Sequence, residues 1–443
     1  MNYEKIKKIY ENMPKQVKFV LAPLFQNIIL MNPEYRKKVS EIKAYNNLSE
    51  KNKEELTWKK LQETVRYAYA HSQYYRELFD KVNFNPNENF TRKDYEKVPF
   101  LDKEIAVREG KKIYSDDQIS YYESHTSGSS TGKVFKVLLD KRSIYYERAF
   151  VNTYLEKFGF DAKRSRTVAF WGHNKDADFY YSPLKNEIVI SPFRLFKEQD
   201  FETVWNDIIS FKPDMIAGYP SAIHILAKLV NKYNKKMKLK LVEFYAENFT
   251  EEIKDYVEKT FSCIAVATYG HTERAVFGEL YKGGYVFNGL YGYTELIPIE
   301  SEAEEQLYCI VCTGFNSKKM PLIRYVTDDT AYFDENGKMI IQGHTTSEAR
   351  VIGRNGARIY KGTIAPHVQQ FEKVKLYQFV QYEEGKVFLD LVLDKPLTED
   401  DVNAINAYYR RKCEGLLDIQ LRVVKEVQLN KRGKYNWFVS YLD

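Results

Sequence analysis

The chain has 443 residues, of which 44% are hydrophobic and 29% charged, so it suits two or three folded domains and not a disordered or fibrous protein. Its 67 basic and 61 acidic residues leave a formal charge of +6, which favours anionic ligands in general. With no basic stripe interleaved with aromatics, the charge does not point to nucleic acid, and four cysteines fit a reducing compartment without a disulfide framework.

In chain order, the opening MNYEKIKKIY lacks the apolar core and cleavage site of a secretory signal, so a cytoplasmic protein is expected. The apolar run 19–31 is interrupted by Pro23, Gln26 and Asn27. It is too short and polar to span a bilayer and reads as a packed surface helix, or alternatively as one lying on the inner membrane surface. Residues 50–115 read as helical, with apolar positions three and four apart through WKKLQETVRYAYAHSQYYRELFDKV. The stretch HTSGSSTGKVF, 125–135, follows, then a strand KVFKVLLD and a helix after Lys141. From TVAFWG to IAVATYG, strand-like and helix-like segments alternate, and Ser221 is the expected N-cap of SAIHILAKLVNKY. This rhythm predicts an α/β fold with ligands at the strand ends.

Beyond residue 280 the segments shorten into strands, with DENG at 334–337 as a hairpin turn. Cys309 and Cys312 form a C-x-x-C, but on a strand residues three apart face opposite ways, so packing and not a metal site is expected. Glycine and charge concentrate in GRNGARIYKG, which places a boundary near 354 before a small α+β unit.

The hydroxyl-rich loop could cradle phosphate, because glycines let the backbone approach an anion and hydroxyls donate to it. It is not a Walker A motif. Gly128 and Gly132 are one residue too close, and Val134 stands where the magnesium-binding hydroxyl belongs. Read alone, the loop could equally be a Ser/Gly linker. Three further segments bear on it: ATYGHTERA (267–275), MPLIRYVTDD (320–329), and GRNGARI (353–359) with a late Gly433-Lys434.

With these segments in this order, the chain from about residue 55 onward resembles the adenylate-forming superfamily of acyl and aryl ligases. Within it, the match is to the phenylacetate–CoA ligase-like and capsule-biosynthesis, CapK-like branch. The resemblance implies a large multi-sheet α/β adenylation domain, 1–353, and a small α+β C-terminal lid domain, 354–443. It implies ATP and Mg as cofactors. Ser127, Gly128, Ser129, Ser130, Thr131, Gly132 and Lys133 would lie at the ATP phosphates, Tyr269 and Gly270 near adenine, and Thr272 near the α-phosphate. Glu273 would be the Mg ligand, a role that suits a carboxylate. Glu247 would border adenine, Asp329 bind the ribose hydroxyls, and Arg354 stand at the hinge near ribose and phosphate. Lys434 would reach the acyl carboxylate and α-phosphate as the catalytic cation. Arg324 reads as structural support.

The implied reaction turns a carboxylic acid into an acyl-adenylate with release of pyrophosphate. The acyl group then passes to a thiol, amine or hydroxyl acceptor, CoA or a glycan, in surface-polysaccharide biosynthesis. An aryl-acid CoA ligase is the alternative within the class, and a non-catalytic nucleotide-binding relative the alternative outside it. Several positions depart from the branch. The loop has one more residue between its glycines, Asp328 replaces the usual glycine, and Gly356 and Ala357 replace an acidic hinge residue. Trp171, His173 and Phe179 are the candidate acyl-pocket residues, in a segment unlike the aryl-acid pocket of phenylacetate ligases.

Overall fold

The computed structural model describes residues 28–126, 135–171, 179–182, 185–299, 305–343, 350–366, 368–413, 415–428 and 437–442, with Met13 and Val17. The chain divides into two compact units, Met1–Asn47 with Ile144–Ala267, and Leu48–Ser143 with Thr268–Asp443. The strand Ile264–Gly270 runs through the division.

The first unit is built on parallel strands. Leu241–Phe244, Met215–Gly218, Thr167–Phe170 and Glu187–Ile190 lie side by side in that order, each fully buried. Such runs are mostly apolar, with Thr167, Glu187 and Glu243 the buried polar exceptions, because helices cover both faces of a parallel sheet. Residues 264–267 add a parallel strand beside Leu241–Phe244, and Phe179–Ser182 closes the far edge antiparallel to Glu187–Ile190. The helices Phe201–Phe211, Pro220–Lys232 and Glu251–Phe261 return the chain between strands. Gly218, with φ 150°, ends its strand against Phe170, where a Cβ would collide with the Phe170 carbonyl oxygen. This is the glycine of GYP, and Pro220 then takes the first helical turn, where its missing N–H costs nothing.

The second unit packs helices on antiparallel sheets. The helical reading of 58–82 is interrupted at Ser72, so that Glu50–His71 and Gln73–Lys81 are separate helices. Ser72 is extended, fully buried and paired with Ser115, and its hydroxyl donates to the Lys112 carbonyl. Tertiary pairing overrides a continuous helical pattern there. An aromatic cluster of Trp58, Tyr75, Phe79, Phe84, Phe90, Tyr95 and Tyr293 fills the core. Tyr75 and Tyr95 keep their polar tips satisfied. The Tyr75 hydroxyl donates to the Pro321 carbonyl at 2.9 Å and accepts from the Ile323 amide at 3.0 Å. The PLIRY segment is thereby tied to helix Gln73–Lys81.

Strands Gly292–Ile299, Leu307–Gly314, Tyr325–Phe333 and Met339–Gly343 form one antiparallel sheet. The expected DENG turn links the last two, with Asp334 Oδ1 accepting from the Asn336 and Lys338 amides. Cys309 and Cys312 lie on Leu307–Gly314, half-buried and buried, and burial raises both thiols, Cys309 to about 11. No group of three or more potential metal ligands occurs among the described residues.

The terminal segment is α+β, as expected. A four-stranded mixed sheet of Asp418–Val423, Lys386–Leu393, Val374–Glu383 and Phe438–Ser440 accompanies helix Glu399–Cys413. No helix among the described residues is long and apolar enough to cross a membrane.

Candidate active site

The strand Ile264–Gly270 ends in a turn that brings His271 to Arg274 round, with the Arg274 amide donating to the His271 carbonyl at 3.0 Å. Beside it runs Tyr325–Phe333 with Asp328 and Asp329. Three residues expected at the site from the sequence, Tyr269, Glu273 and Asp329, are joined here through their neighbours. The Tyr269 hydroxyl donates to Asp329 Oδ2 at 2.7 Å. The buried Tyr325 hydroxyl donates to Glu273 Oε1 at 2.7 Å. Burial first, then the adjacent carboxylate, raises each phenol well above its ordinary range, so both stay protonated donors.

His271 connects the two pairs. Its Nε2 lies 3.0 Å from the Tyr269 oxygen. Because that hydroxyl's proton is committed to Asp329, the imidazole donates from Nε2, and in the neutral ring the lone pair sits on Nδ1. This Nδ1 is buried without a hydrogen-bond partner and stands 4.0 Å from Glu273 Oε2. A polar nitrogen without a partner facing a buried carboxylate oxygen is unfavourable unless something electropositive, a proton or a cation, sits between them.

Lys103, which the sequence reading missed, also belongs to this group. The Leu101 amide donates to the Arg324 carbonyl at 3.0 Å, and the Val326 amide to the Leu101 carbonyl at 2.9 Å. This register pairs Leu101 with Tyr325 and carries Lys103 to the level of Asp328, where their ion pair closes at 3.0 Å. Burial pulls the Lys103 ammonium down, but the charges of Glu273, Asp328 and Asp329 together outweigh it and hold it above the ordinary lysine range. The only trace in the sequence is local. Lys103 is the first residue of helix Lys103–Glu109, after the N-cap Asp102, an end where the helix dipole disfavours a cation.

Asp328 itself takes φ 65°, the left-handed region that explains why glycine would suit this position and why Asp is among the few side chains tolerated there. Arg324 has the structural role expected of it. Nε and Nη2 donate to the Glu295 carboxylate at 3.2 and 2.9 Å, Nη1 donates to the Glu96 and Val98 carbonyls at 2.6 Å each, and the guanidinium lies 4.3 Å from the Phe100 ring centre.

The other candidates are placed as follows. Thr272 is half-buried and Gly270 exposed in the same turn. In the first unit, Glu247 Oε2 accepts from the Ser221 amide at 3.1 Å, so a carboxylate from another segment serves the start of helix Pro220–Lys232. The expectation that Ser221 is the N-cap is corrected: the cap is Tyr219, and no side chain of its own closes the helix. Ala246, just before Glu247, sits at φ 65°. Arg354 is exposed in a turn where Asn355 and Gly356 both have positive φ, and its amide donates to the Leu416 carbonyl. Trp171 is half-buried just past strand Thr167–Phe170, and Phe179 begins an edge strand. His173, residues 127–133 and Lys434 lie outside the described residues. The loop's base is defined. Thr126 and Phe135 pair, with the Thr126 hydroxyl accepting from the Phe135 amide at 3.1 Å, at the end of the ladder Tyr121–His125/Lys136–Asp140.

Comparison with known proteins agrees with this architecture. Residues 351–441 match the CapK C-terminal domain family. Protein CapK of Staphylococcus aureus is 23% identical over 353 residues, 75% of this chain and 76% of that one. A solved 2-hydroxyisobutyryl-CoA ligase, in complex with 2-HIB-AMP and CoA in the thioesterification state, aligns with a TM-score of 0.51 at 15% identity. That alignment covers 89% of this chain and 90% of the ligase. The same ligase in its postadenylation state, with 2-HIB-AMP, aligns at 0.50, covering 89% and 91%. The resemblance read from the motifs is thus borne out, and the fold is that of the adenylate-forming ligases.

Proposed function

We propose that this protein activates a carboxylic acid with ATP and passes the acyl group to an acceptor. The observation that carries the reading is the linked cluster of Tyr269, Glu273 and Asp329, drawn from two motifs about sixty residues apart and joined by a 2.7 Å hydrogen bond between Tyr269 and Asp329.

The substrate carboxylate oxygen attacks the α-phosphorus, the bond to pyrophosphate breaks, and an acyl-adenylate forms. A thiol, amine or hydroxyl then attacks the acyl carbon and AMP departs. Asp329 accepts from the ribose hydroxyls, with Tyr269 holding one of its oxygens. Thr272 lies toward the α-phosphate. By the resemblance, residues 127–133 are the ones expected to serve the pyrophosphate side. On the same ground, Glu247 is the residue expected to border adenine, Arg354 the one expected near ribose and phosphate, and Lys434 the cation expected to serve the transferring group.

Glu273 fits a magnesium ion. It is a hard oxygen donor, its Oε1 is oriented by Tyr325, and its Oε2 faces the orphaned Nδ1 of His271. When bound, the ion supplies charge neutralisation at the phosphates. CoA is the acceptor this reading favours first, because the solved ligase of this fold holds CoA. A glycan acceptor in surface-polysaccharide synthesis is the other reading, drawn from the capsule-biosynthesis resemblance of the motifs, and a cytoplasmic setting goes with either.

The test is acid-dependent exchange of labelled pyrophosphate into ATP over a broad acid panel, with and without CoA. Exchange with at least one acid, abolished by Glu273→Gln, is expected. No exchange with any acid would overturn the reading.

A further inference from the structure

Lys103 is an expensive residue to place where it is. Its side chain is only 8% exposed, it starts a helix, and its partner Asp328 occupies left-handed backbone that a glycine would adopt more easily. Three carboxylates, those of Glu273, Asp328 and Asp329, act electrostatically on this one ammonium. If Glu273 and Asp329 serve ATP, a polyphosphate carrying several negative charges must approach a surface already rich in them. A buried charge a few ångströms away is only partly screened and changes affinity by about one to two orders of magnitude.

We infer that Lys103 is a built-in counter-cation of the nucleotide site, held by Asp328 at 3.0 Å and offsetting the carboxylates so that ATP can bind beside Glu273 and Asp329. Lys103 and Asp328 therefore form a matched pair. Asp328 supplies the anchor at the position where the chain would otherwise favour glycine, and Lys103 supplies the charge. The inference rests on the ATP-dependent reading above and adds a residue to it. Lys103 acts through the field it creates and the turn it holds, and is a positioning residue.

The two kinds of ligand respond with opposite signs, which a purely structural lysine would not produce. The experiment measures binding of a fluorescent ATP analogue without divalent metal, and separately binding of Mn2+ without nucleotide by electron paramagnetic resonance. Both are made on the full chain and its variants, with melting curves to establish folding. Lys103→Met is expected to weaken the ATP analogue by roughly tenfold or more and to tighten Mn2+. Lys103→Arg should stay within about threefold of wild type, since the charge is kept. Asp328→Asn, which leaves the ammonium with one carboxylate fewer, should move both affinities the other way, and it serves as the test if Lys103→Met does not fold. The double variant Lys103→Met/Asp328→Asn removes one charge of each sign and should recover most of the lost ATP affinity.

Equal ATP binding by wild type and Lys103→Met, or ATP and Mn2+ affinities that fall together, would overturn the inference and leave the acid-activating reading standing. A wild-type chain that binds no ATP analogue would overturn both.

Discussion

Replacing Tyr325 with Phe removes one oxygen from the site and almost nothing else. Tyr325 is fully buried, its hydroxyl donates to Glu273 Oε1 at 2.7 Å, and Glu273 is 6% exposed. A phenyl ring fills nearly the same space, so no cavity cost is expected. What is lost is a hydrogen bond to a charged group, worth about 1.5–3 kcal/mol, and the carboxylate oxygen left behind has no water to replace the donor. For a unit of this size that amounts to a fall in melting temperature of about 3–12 °C. The assay is a double-mutant cycle with Glu273→Gln, read by urea unfolding and by thermal melts. Because the bond depends on the Glu273 charge, the two substitutions should couple by about 1.5–3 kcal/mol. Tyr325→Phe within about 0.5 kcal/mol of wild type, or effects that simply add, would refute the reasoning.

Glu295→Leu should destabilise by about 3–5 kcal/mol, because it strands the buried Arg324 guanidinium with only the Glu96 and Val98 carbonyls, a loss that denaturant unfolding would register. Ala246→Gly should stabilise by about 0.5–1 kcal/mol, since a left-handed alanine at φ 65° costs about 1–2 kcal/mol and glycine's extra chain entropy returns only part of that. A fall in melting temperature would contradict it. Lys412 is buried, donating to the Ala365 carbonyl at 2.8 Å and to the Tyr408 hydroxyl at 2.6 Å, and burial lowers its amine to about 7. Between pH 7 and its ordinary value of 10.5 the unfolded chain holds a proton that the folded chain does not, so stability should rise with pH through that window by a few kcal/mol. Lys412→Met should flatten the rise between pH 7 and 9.5, and an unchanged slope in thermal melts would exclude Lys412 as its source.

Much of the architecture was legible along the chain because it depends on local chemistry. The parallel strands are predominantly apolar because both faces are covered, and the GYP and DENG turns sit where glycine, proline and aspartate permit sharp reversals. The Y-G-x-T-E turn, at the end of strand Ile264–Gly270, and Asp329, within strand Tyr325–Phe333, stood out through the resemblance of their short motifs. The break at Ser72 did not. Its helical neighbours predict helix, and only its pairing with Ser115 makes it extended.

The sequence by itself therefore determined the α/β class and the α+β character of the terminal segment, and the resemblance of its motifs singled out Tyr269, Glu273 and Asp329 as expected site residues. Tertiary structure decided which charges meet. Lys103 reaches Asp328 because Leu101 pairs with Tyr325, the Glu247 carboxylate meets the Ser221 amide across the turn of one unit, and His271 spans Tyr269 and Glu273. Periodicity and turn chemistry act over a few residues and can be read from them. An ion pair between positions 103 and 328 depends on strand register set by the whole core, and no local pattern records it.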